Sequence, residues 1–287
     1  MFLVDISVVI VNFNGAKFIE VCLDSLFASE ISYAYDVWMV DNASSDKSLE
    51  ILSAYKDRIH LIKNTENTGF SYANNQAINQ ASGRYLFILN NDTVLEKNTL
   101  QLLVDEHERQ PHLGAICPKL LNADGSLQCP GSSLGHWRFK QDRARFVPFI
   151  AGAAFLMRKS VMDEMGGMDE NLFFYNDDID MCRFLRHKGY PILYFPEAKV
   201  IHFGGLSTQY RKVGSLIEGY RGGIYLAYKH YGVVAGILYR IVLCLDLFVR
   251  IIANLFNREL LGGYLHVLWI NITNDIYLPR IKKEPRL

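Results

Sequence analysis

A chain of 287 residues, half of them apolar and 21% charged, can bury a sizeable core and is not disordered. Lys+Arg and Asp+Glu both number 30, so the whole molecule has no field suited to gripping nucleic acid. The balance is uneven: residues 1–204 hold 19 basic and 25 acidic side chains, residues 205–287 hold 11 and 5, so the parts sit at −6 and +6. An acidic body with a basic, apolar tail implies that the tail meets something the body does not. The length fits one large α/β domain, or a catalytic domain with an appendage. Five cysteines (22, 117, 129, 182 and 244) without metal-ligand spacing point to a reduced compartment. The N-terminus runs straight into an apolar strand, and no signal peptide is expected.

In chain order, residues 5–12 form a β-branched run, as a parallel strand buried on both faces requires. Asn14-Gly15 breaks it, and Ala16 to Ala28 has helical spacing through Phe18, Val21, Cys22, Ser25 and Leu26. A second strand from Asp36 to Val40 ends on Asp41 and enters a helix through Ser44-Ser45-Asp46. A short strand at 59–62, a polar loop at Asn64–Gly69, a helix at 71–81 and a strand at Tyr85–Leu89 follow. This alternation predicts a doubly wound, mostly parallel sheet, in which ligands lie beyond the carboxyl ends of the strands. Asn12–Asn14, Asp41–Asp46, Asn64–Gly69 and Asn90–Asp92 should therefore converge on one edge. Beyond residue 92 we expect a helix at 97–109, Gly114–Leu121, a turn-rich lid at Asn122–Gly135 and an apolar run around Gly152. A helix within 172–188 and two short strands, Pro191–Phe195 and Lys199–Phe203, complete the body.

Three constellations carry chemistry. Asn90-Asn91-Asp92-Thr93 ends a strand, where a carboxylate can hold a divalent ion on a diphosphate or close an Asx turn. Asp177, Asp178 and Asp180 open a helix beside an aromatic run; they either cap it or place a desolvated carboxylate as a base. His202, in Val200-Ile201-His202-Phe203-Gly204-Gly205, is either structural or a ligand. Asp180 lies about 200° round the helix from Asp178, so the two cannot share one role, and Asp180 reads as a structural acid facing Arg183.

Together these residues resemble the family 2 inverting glycosyltransferases of the GT-A fold, especially the bacterial rhamnosyltransferase-like branch. The matching pieces fall in family order: Val9 to Asn14, Val40 to Asp46, Asn64 to Asn74, Leu89 to Asp92, Gly152 to Arg158, Phe174 to Asp180, and His202 to Gly205. The resemblance spans residues 5–208. It implies a GT-A catalytic domain over 1–208, with a nucleotide-binding half at about 1–95 and an acceptor-binding half at about 96–208. It further implies that Asn12, Asn14, Asp41, Asn67, Gly69 and Asn91 bind the donor nucleotide. Asp92 and His202 would hold Mg²⁺ or Mn²⁺, Asp178 would be the base, and Gly152 and Asp177 would lie by the donor sugar or acceptor. One departure is Asn90 where the family's metal motif has its first acid, which leaves Asp92 as the carboxylate. The implied reaction moves a sugar, L-rhamnose from dTDP-rhamnose first and a UDP-hexose second, to a cell-surface glycan or its lipid-linked precursor. In the loop at 122–147, Trp137 is placed to stack on a sugar, and Arg138, Lys140, Arg143 and Arg145 to meet a lipid diphosphate.

Residues 209–287 form a helical extension. Residues 233–256 are apolar except for Arg240, Asp246, Arg250 and Asn254, which fall within about 120° of one another on a helix. Three central charges disfavour a lone bilayer span, so we expect a helix lying in the membrane interface or completing a homodimer or core. Tyr220, Tyr225, Tyr228, Tyr231, Trp269, Arg280, Lys282, Lys283 and Arg286 suit an anionic lipid surface, on the cytoplasmic side of a bacterial membrane. A sugar-phosphate nucleotidyltransferase would need a basic, Gly-rich loop after the first strand, and Asn12-Phe13-Asn14-Gly15 has none. An inactive membrane scaffold is disfavoured because Asp41, Asp92, Asp178 and His202 are all present.

Overall fold

The computed structural model describes residues 4–129, 133–140, 142–204 and 212–273. A stretch without a charge from Ile6 to Asn12 has to be covered on both faces, and β1 (Ile6–Asn12) is buried at every position. Alternate residues serve opposite cores. Ile6, Val8 and Ile10 pack with α1 (Ile19–Phe27), while Val9 and Val11 join Ala73, Ala77 and Ile78 of α3 (Phe70–Ile78). β2 (Tyr35–Asp41), β3 (His60–Lys63) and β4 (Tyr85–Asn90) run parallel to β1 in the order β3-β2-β1-β4, with α2 (Ser48–Ser53) as a further crossover.

The sheet then becomes mixed. β5 (Thr93–Leu95), α4 (Thr99–Arg109) and β6 (Ala115–Leu121) precede the two-residue β7 (Arg145–Phe146) and β8 (Ala154–Arg158). α5 (Lys159–Met165), α6 (Asp177–His187) and β9 (Ile192–His202) follow. β8 is inserted antiparallel between β4 and β6, β9 lies parallel to β6, and β5 and β7 pair antiparallel with β9.

Several boundaries differ from the sequence reading. The helix expected from Ala16 starts at Ile19, because the Gly15 and Ala16 N–H groups donate to Ser48 Oγ and the Asp46 carboxylate, at 3.1 and 2.9 Å. Those contacts hold the first residues in a turn. The two strands expected at Pro191–Phe195 and Lys199–Phe203 are one. Pro196 cannot donate to the ladder, and β9 passes it by a bulge: Phe195 is paired with Pro118 and Lys199 with Lys119, so residues 196–198 are skipped. The expected lid begins as a tight hairpin instead. Asn122 and Ser126 close a turn, Leu127 bridges to Leu121, and Gln128 N–H donates to Leu120 O at 2.9 Å. Residues 130–132 lie outside the described residues.

The chain divides into two compact units, Met1–Met168 with Asp178–Ser207, and Asp169–Asp177 with Thr208–Leu287. In the second, α7 (Lys212–Ala253) is broken at Gly232, whose φ of 81° only glycine adopts at ease, and α8 (Arg258–Thr273) packs against it. Ile224, Leu243, Leu247, Tyr264, Val267 and Ile270 form their core.

Arg240, Asp246 and Arg250 in the apolar half of α7, and Asn254 just beyond it, have partners inside this unit. Arg240 donates to the Asn271 carbonyl and, at 3.2 Å, to Tyr228 Oη. Asp246 accepts from Arg250 at 2.7 Å and from Tyr220 Oη at 3.1 Å, and Asn254 Nδ2 donates to Arg250 O at 2.8 Å. Val234, Ile241, Leu245 and Phe248 on the opposite side are exposed. The helix is long and apolar enough to cross a membrane, by length and composition.

Candidate active site

The carboxyl ends of β1, β2 and β4 meet in a network of amides. Asn12 Nδ2 donates to Asp41 Oδ1 at 2.9 Å and to Ser44 Oγ at 3.0 Å, and Asn12 Oδ1 accepts from Asn91 Nδ2 at 2.7 Å. Asp41 Oδ2 accepts from the Ser44 N–H at 3.0 Å. Asn12, Asp41 and Asn91 are buried, so these hydrogen bonds replace water that the groups have lost. Gly15 is fixed by close approach: a Cβ there would come within 2.1 Å of Asn91 Nδ2 and 2.3 Å of Asn12 Oδ1. Asn14, at φ 52°, uses its Oδ1 to accept from the Ser45 N–H at 2.8 Å.

Asn42 joins the next loop to this edge. Its Nδ2 donates to Asn67 Oδ1 at 2.9 Å and Gly69 O at 3.2 Å. Its Oδ1 accepts from the Thr68 N–H and from Asn64 Nδ2, both at 3.0 Å. Asn67 Oδ1 also accepts from the Gly69 N–H at 3.0 Å, and Gly69 has φ 87° just before α3.

The β5–β9 register sets Thr93 opposite His202 and so brings Asp92 beside the imidazole, with Nε2 3.2 Å from Asp92 Oδ1. His202 Nδ1–H donates to Gln128 Oε1 at 2.7 Å, which fixes the ring with Nε2 toward Asp92; Asn90 Nδ2 is 3.3 Å from the same nitrogen. Two ligands bound at right angles to one cation with bonds of about 2.1 Å stand about 3 Å apart, so the pair has the spacing of adjacent ligands. Among the described residues no group of three or more His, Cys, Asp or Glu side chains is placed to hold a metal. A cation here takes two ligands from the chain and needs the others from substrate and water.

Asp178 lies in the first turn of α6. Its Oδ2 accepts from the Gly152 N–H at 3.3 Å and its Oδ1 from the Ile179 N–H at 2.8 Å. Burial pushes the carboxyl up to about 6, against the pull of those backbone donors. The next carbonyl after Gly152, that of Ala153, accepts from the Asn90 N–H at 2.9 Å, which sets the Asp178 site against the end of β4.

Thus Asn12, Asn14, Asp41 and Asn91 form one cluster, Asn67 and Gly69 join it through Asn42, Asp92 meets His202, and Asp178 meets Gly152. Trp137 is exposed, with the Arg138 and Arg145 guanidinium carbons 4.7 and 5.6 Å from its ring centre, and Asp177 belongs to the second compact unit. Asp180 is buried on α6. Sequence reasoning assigned no role to Gln128 or Asn42. The signal for Asn42 was its place beside Asp41; for Gln128 there was none, since only the hairpin register sets it beside His202.

Comparison with known proteins bears on the family and the fold. The sequence model described as glycosyl transferase family 2 matches residues 7–166. An N-acetylglucosaminyl-diphospho-decaprenol L-rhamnosyltransferase of Mycobacterium tuberculosis is 26% identical, over 79% of this chain and 85% of its own. A poly-beta-1,6-N-acetyl-D-glucosamine synthase of Staphylococcus aureus is 27% identical over 67% of this chain and 48% of its own. Among solved structures, the mannosyltransferase PcManGT from Pyrobaculum calidifontis, in complex with GDP-Man and Mn²⁺, superposes with a TM-score of 0.59 at 16% identity, covering 96% of this chain and 87% of that one. S. aureus TarS 1–349 in complex with UDP-GlcNAc gives 0.58 at 19%, covering 78% and 65%. With residues 7–166 matched and the sheet arranged as described, the chain belongs to glycosyl transferase family 2: it is a glycosyltransferase of the GT-A fold.

Proposed function

We propose that the chain is an inverting transferase that moves L-rhamnose from dTDP-L-rhamnose to a hydroxyl of a lipid-linked glycan precursor. The observation that carries the reaction class is the desolvated carboxylate of Asp178, held by the Gly152 N–H beside the end of β4. Asn12, Asn14, Asn91 and Asp41 receive the base and ribose. Asp41 accepts from a pyrimidine N3–H with the lone pairs left over from Asn12 and Ser44. Asn67 and Gly69 lie along the diphosphate, where the absent Cβ lets the backbone approach. Asp92 and His202 hold Mg²⁺ or Mn²⁺, which when bound neutralises the charge growing on the leaving diphosphate. Asp178 takes the proton of the acceptor hydroxyl as that oxygen attacks the anomeric carbon. The glycosidic bond forms as the bond to the diphosphate breaks on the opposite face, and the configuration inverts. The rhamnosyl donor and the lipid-linked acceptor are supported by the activity that the mycobacterial relative's name states.

The outer face of α7 supports a place at the membrane. Its Arg240, Asp246 and Arg250 are satisfied within its own unit, and a broad apolar strip is exposed, as is Trp269 of α8. Such a helix lies in the interface of the cytoplasmic leaflet. Arg280, Lys282, Lys283 and Arg286, expected to reinforce this, lie outside the described residues.

The test is release of nucleoside diphosphate from a panel of nucleotide sugars, with a short-chain prenyl-diphosphate-linked N-acetylglucosamine as acceptor. Wild type and Asp178→Asn are assayed with Mg²⁺, Mn²⁺ or chelator. Metal-dependent turnover of dTDP-rhamnose that falls ~10³-fold in Asp178→Asn is the expected result. Turnover of a UDP-hexose instead would correct the donor, and an undiminished Asp178→Asn would remove the proposed base.

A further inference from the structure

Between Trp137 and Phe146 ten residues carry four cations, Arg138, Lys140, Arg143 and Arg145, and one acid, Asp142. The acid is taken up by Lys119, with which it forms an ion pair. Among the described residues no carboxylate pairs with Arg138, Lys140 or Arg143. The charge is also gathered rather than spread. The Arg138 and Arg145 guanidinium carbons stand 4.7 and 5.6 Å from the centre of one indole ring, that of Trp137, which is 54% exposed. A cation–π contact holds a guanidinium in place without neutralising it. Two like charges held on one ring repel each other, and a compact anion between them relieves that.

The span is rooted at both ends. Phe139 is buried edge-on against Tyr194, with ring centres 5.0 Å apart, and its carbonyl accepts from Tyr194 Oη at 3.1 Å. Val147 is buried too, and its N–H donates to Ile192 O at 2.9 Å. β7 fixes which way the arginine leaves the sheet. Arg145 pairs directly with Tyr194, and paired residues project from the same face. Tyr194 shares its core with Met181, Cys182 and Leu185 of α6, so Arg145 emerges on the face that α6 covers, and Asp178 is in the first turn of that helix. Both belong to the first compact unit. In strand order β7 is followed by β9, β6 and β8, so three spacings, ~14 Å, separate Arg145 from β8. β8 starts two residues after Gly152, the partner of Asp178.

Taking the acceptor to be a diphosphate-linked glycan, as proposed above, we infer that Arg138 and Arg145, held on Trp137, are the site that grips the acceptor's diphosphate. Lys140 and Arg143 of the same loop add to the field. Guanidinium forks match phosphate oxygens two at a time, and a diphosphate offers enough of them for both arginines. One sugar ring then fills the interval between this anion and the base. The donor, placed on β1, β2 and β4, lies on the other side of β8 in strand order, so donor and acceptor diphosphates have separate cations.

The test uses the full-length protein in solution, without vesicles. Binding of geranyl diphosphate is titrated calorimetrically with saturating dTDP present. Transfer from dTDP-rhamnose is measured to two acceptors, the short-chain prenyl-diphosphate-linked N-acetylglucosamine and an alkyl N-acetylglucosaminide of the same chain length. Wild type is compared with Arg138→Gln/Arg145→Gln and with Arg138→Lys/Arg145→Lys, which keeps the charge and loses the forks. We expect the glutamine variant to bind geranyl diphosphate ~30-fold or more weakly, with the lysine variant in between. We expect the ratio of kcat/KM for the diphosphate-linked over the alkyl acceptor to fall by a similar factor, with donor KM within about twofold. Turnover of the alkyl acceptor reports an intact fold. Wild type that does not bind geranyl diphosphate overturns the inference, and so does a glutamine variant that binds it as wild type does or keeps the wild-type ratio. A defect seen only when phosphatidylglycerol vesicles are added gives the arginines to a lipid headgroup and overturns it as well. Geranyl diphosphate bound through the arginines beside a wild type that transfers nothing to the prenyl-linked acceptor corrects the proposed donor or acceptor sugar and leaves this site standing. Transfer to both acceptors that the arginine variants leave unaltered defeats this inference alone.

Discussion

A carboxyl lifted from an ordinary 3.8 to about 6 by burial has consequences for rate and for stability. As a base Asp178 works ionised, so kcat should climb through a limb near pH 6 and level off above it; a pH–rate profile without that limb would exclude the role. The folded state disfavours the ionised form, so its contribution to stability falls as pH rises from 3.8 through about 6. Asp178→Asn should therefore be more stable than wild type at pH 8, by about 1–3 kcal/mol, with the two melting temperatures converging below pH 4. Gln128 makes a second prediction at this scale. It orients His202 through Nδ1–H, and Gln128→Leu should raise the Mn²⁺ concentration for half-maximal turnover ~10-fold or more, while leaving donor KM nearly unchanged. An unaltered Mn²⁺ requirement would show that His202 serves no cation. Asp41, Asp92 and His202 stand out as single residues because Asp41 and His202 end strands and Asp92 follows one closely, each strand's apolar run being plain in the sequence. Gln128 and Asn42 were not, since an amide becomes an organising group only when distant strands fix what lies beside it.

Element by element, legibility followed length and hydrophobic period. β1, β2 and β4 announce themselves by uncharged or nearly uncharged runs, and α4 by Leu100, Leu103, Val104 and His107 on one face. β5 and β7, three and two residues long, are too short for any periodicity and exist because β9 offers a paired edge. The proline inside β9 imitates a strand end, and only tertiary pairing on both sides carries the strand past it. α4 holds an element-scale test as well. His107 is fully buried edge-on to Tyr85, with ring centres 4.9 Å apart, and burial pushes it down from 6.5 to about 4. Between those values the unfolded chain binds a proton that the folded chain refuses. Stability present above pH 6.5 is thus lost as pH falls toward 4, by up to about 3 kcal/mol. Asp178 titrates in the same window with the opposite sign, so the wild-type slope is a difference of two terms. Comparing urea midpoints of wild type and His107→Leu at pH 7 and 4.5 isolates the histidine: the acid loss should shrink in the variant.

For the whole molecule, the charge split between body and tail was readable from composition, and so was the clustering of the tail's polar residues on one side of a helix. The break at Gly232 and the partner of Arg240 were not, and the latter depends on how α8 packs; the Asp246–Arg250 pair is local, at i,i+4 spacing. The membrane reading predicts that Val234→Glu/Ile241→Glu/Phe248→Glu reduces co-sedimentation with phosphatidylglycerol vesicles ~10-fold or more, with turnover of a water-soluble short-chain acceptor kept. Undiminished sedimentation would remove that reading, and a wild-type dimer that the triple variant converts to monomer would put a second copy in the lipid's place. The sheet order has a consequence for the chain as it leaves the ribosome. β4 is complete by residue 90 and β6 by residue 121, yet the strand that seals both, β8, begins only at residue 154. Throughout the synthesis of that interval the nascent chain carries two strands with raw edges, a template for sticking to neighbouring nascent chains. A rare-codon pause that holds the chain once β6 has left the exit tunnel and before residues 154–158 follow should therefore favour aggregation, whereas the same pause after residues 154–158 have cleared should favour it less, with only the far edge of β6 still waiting for β9.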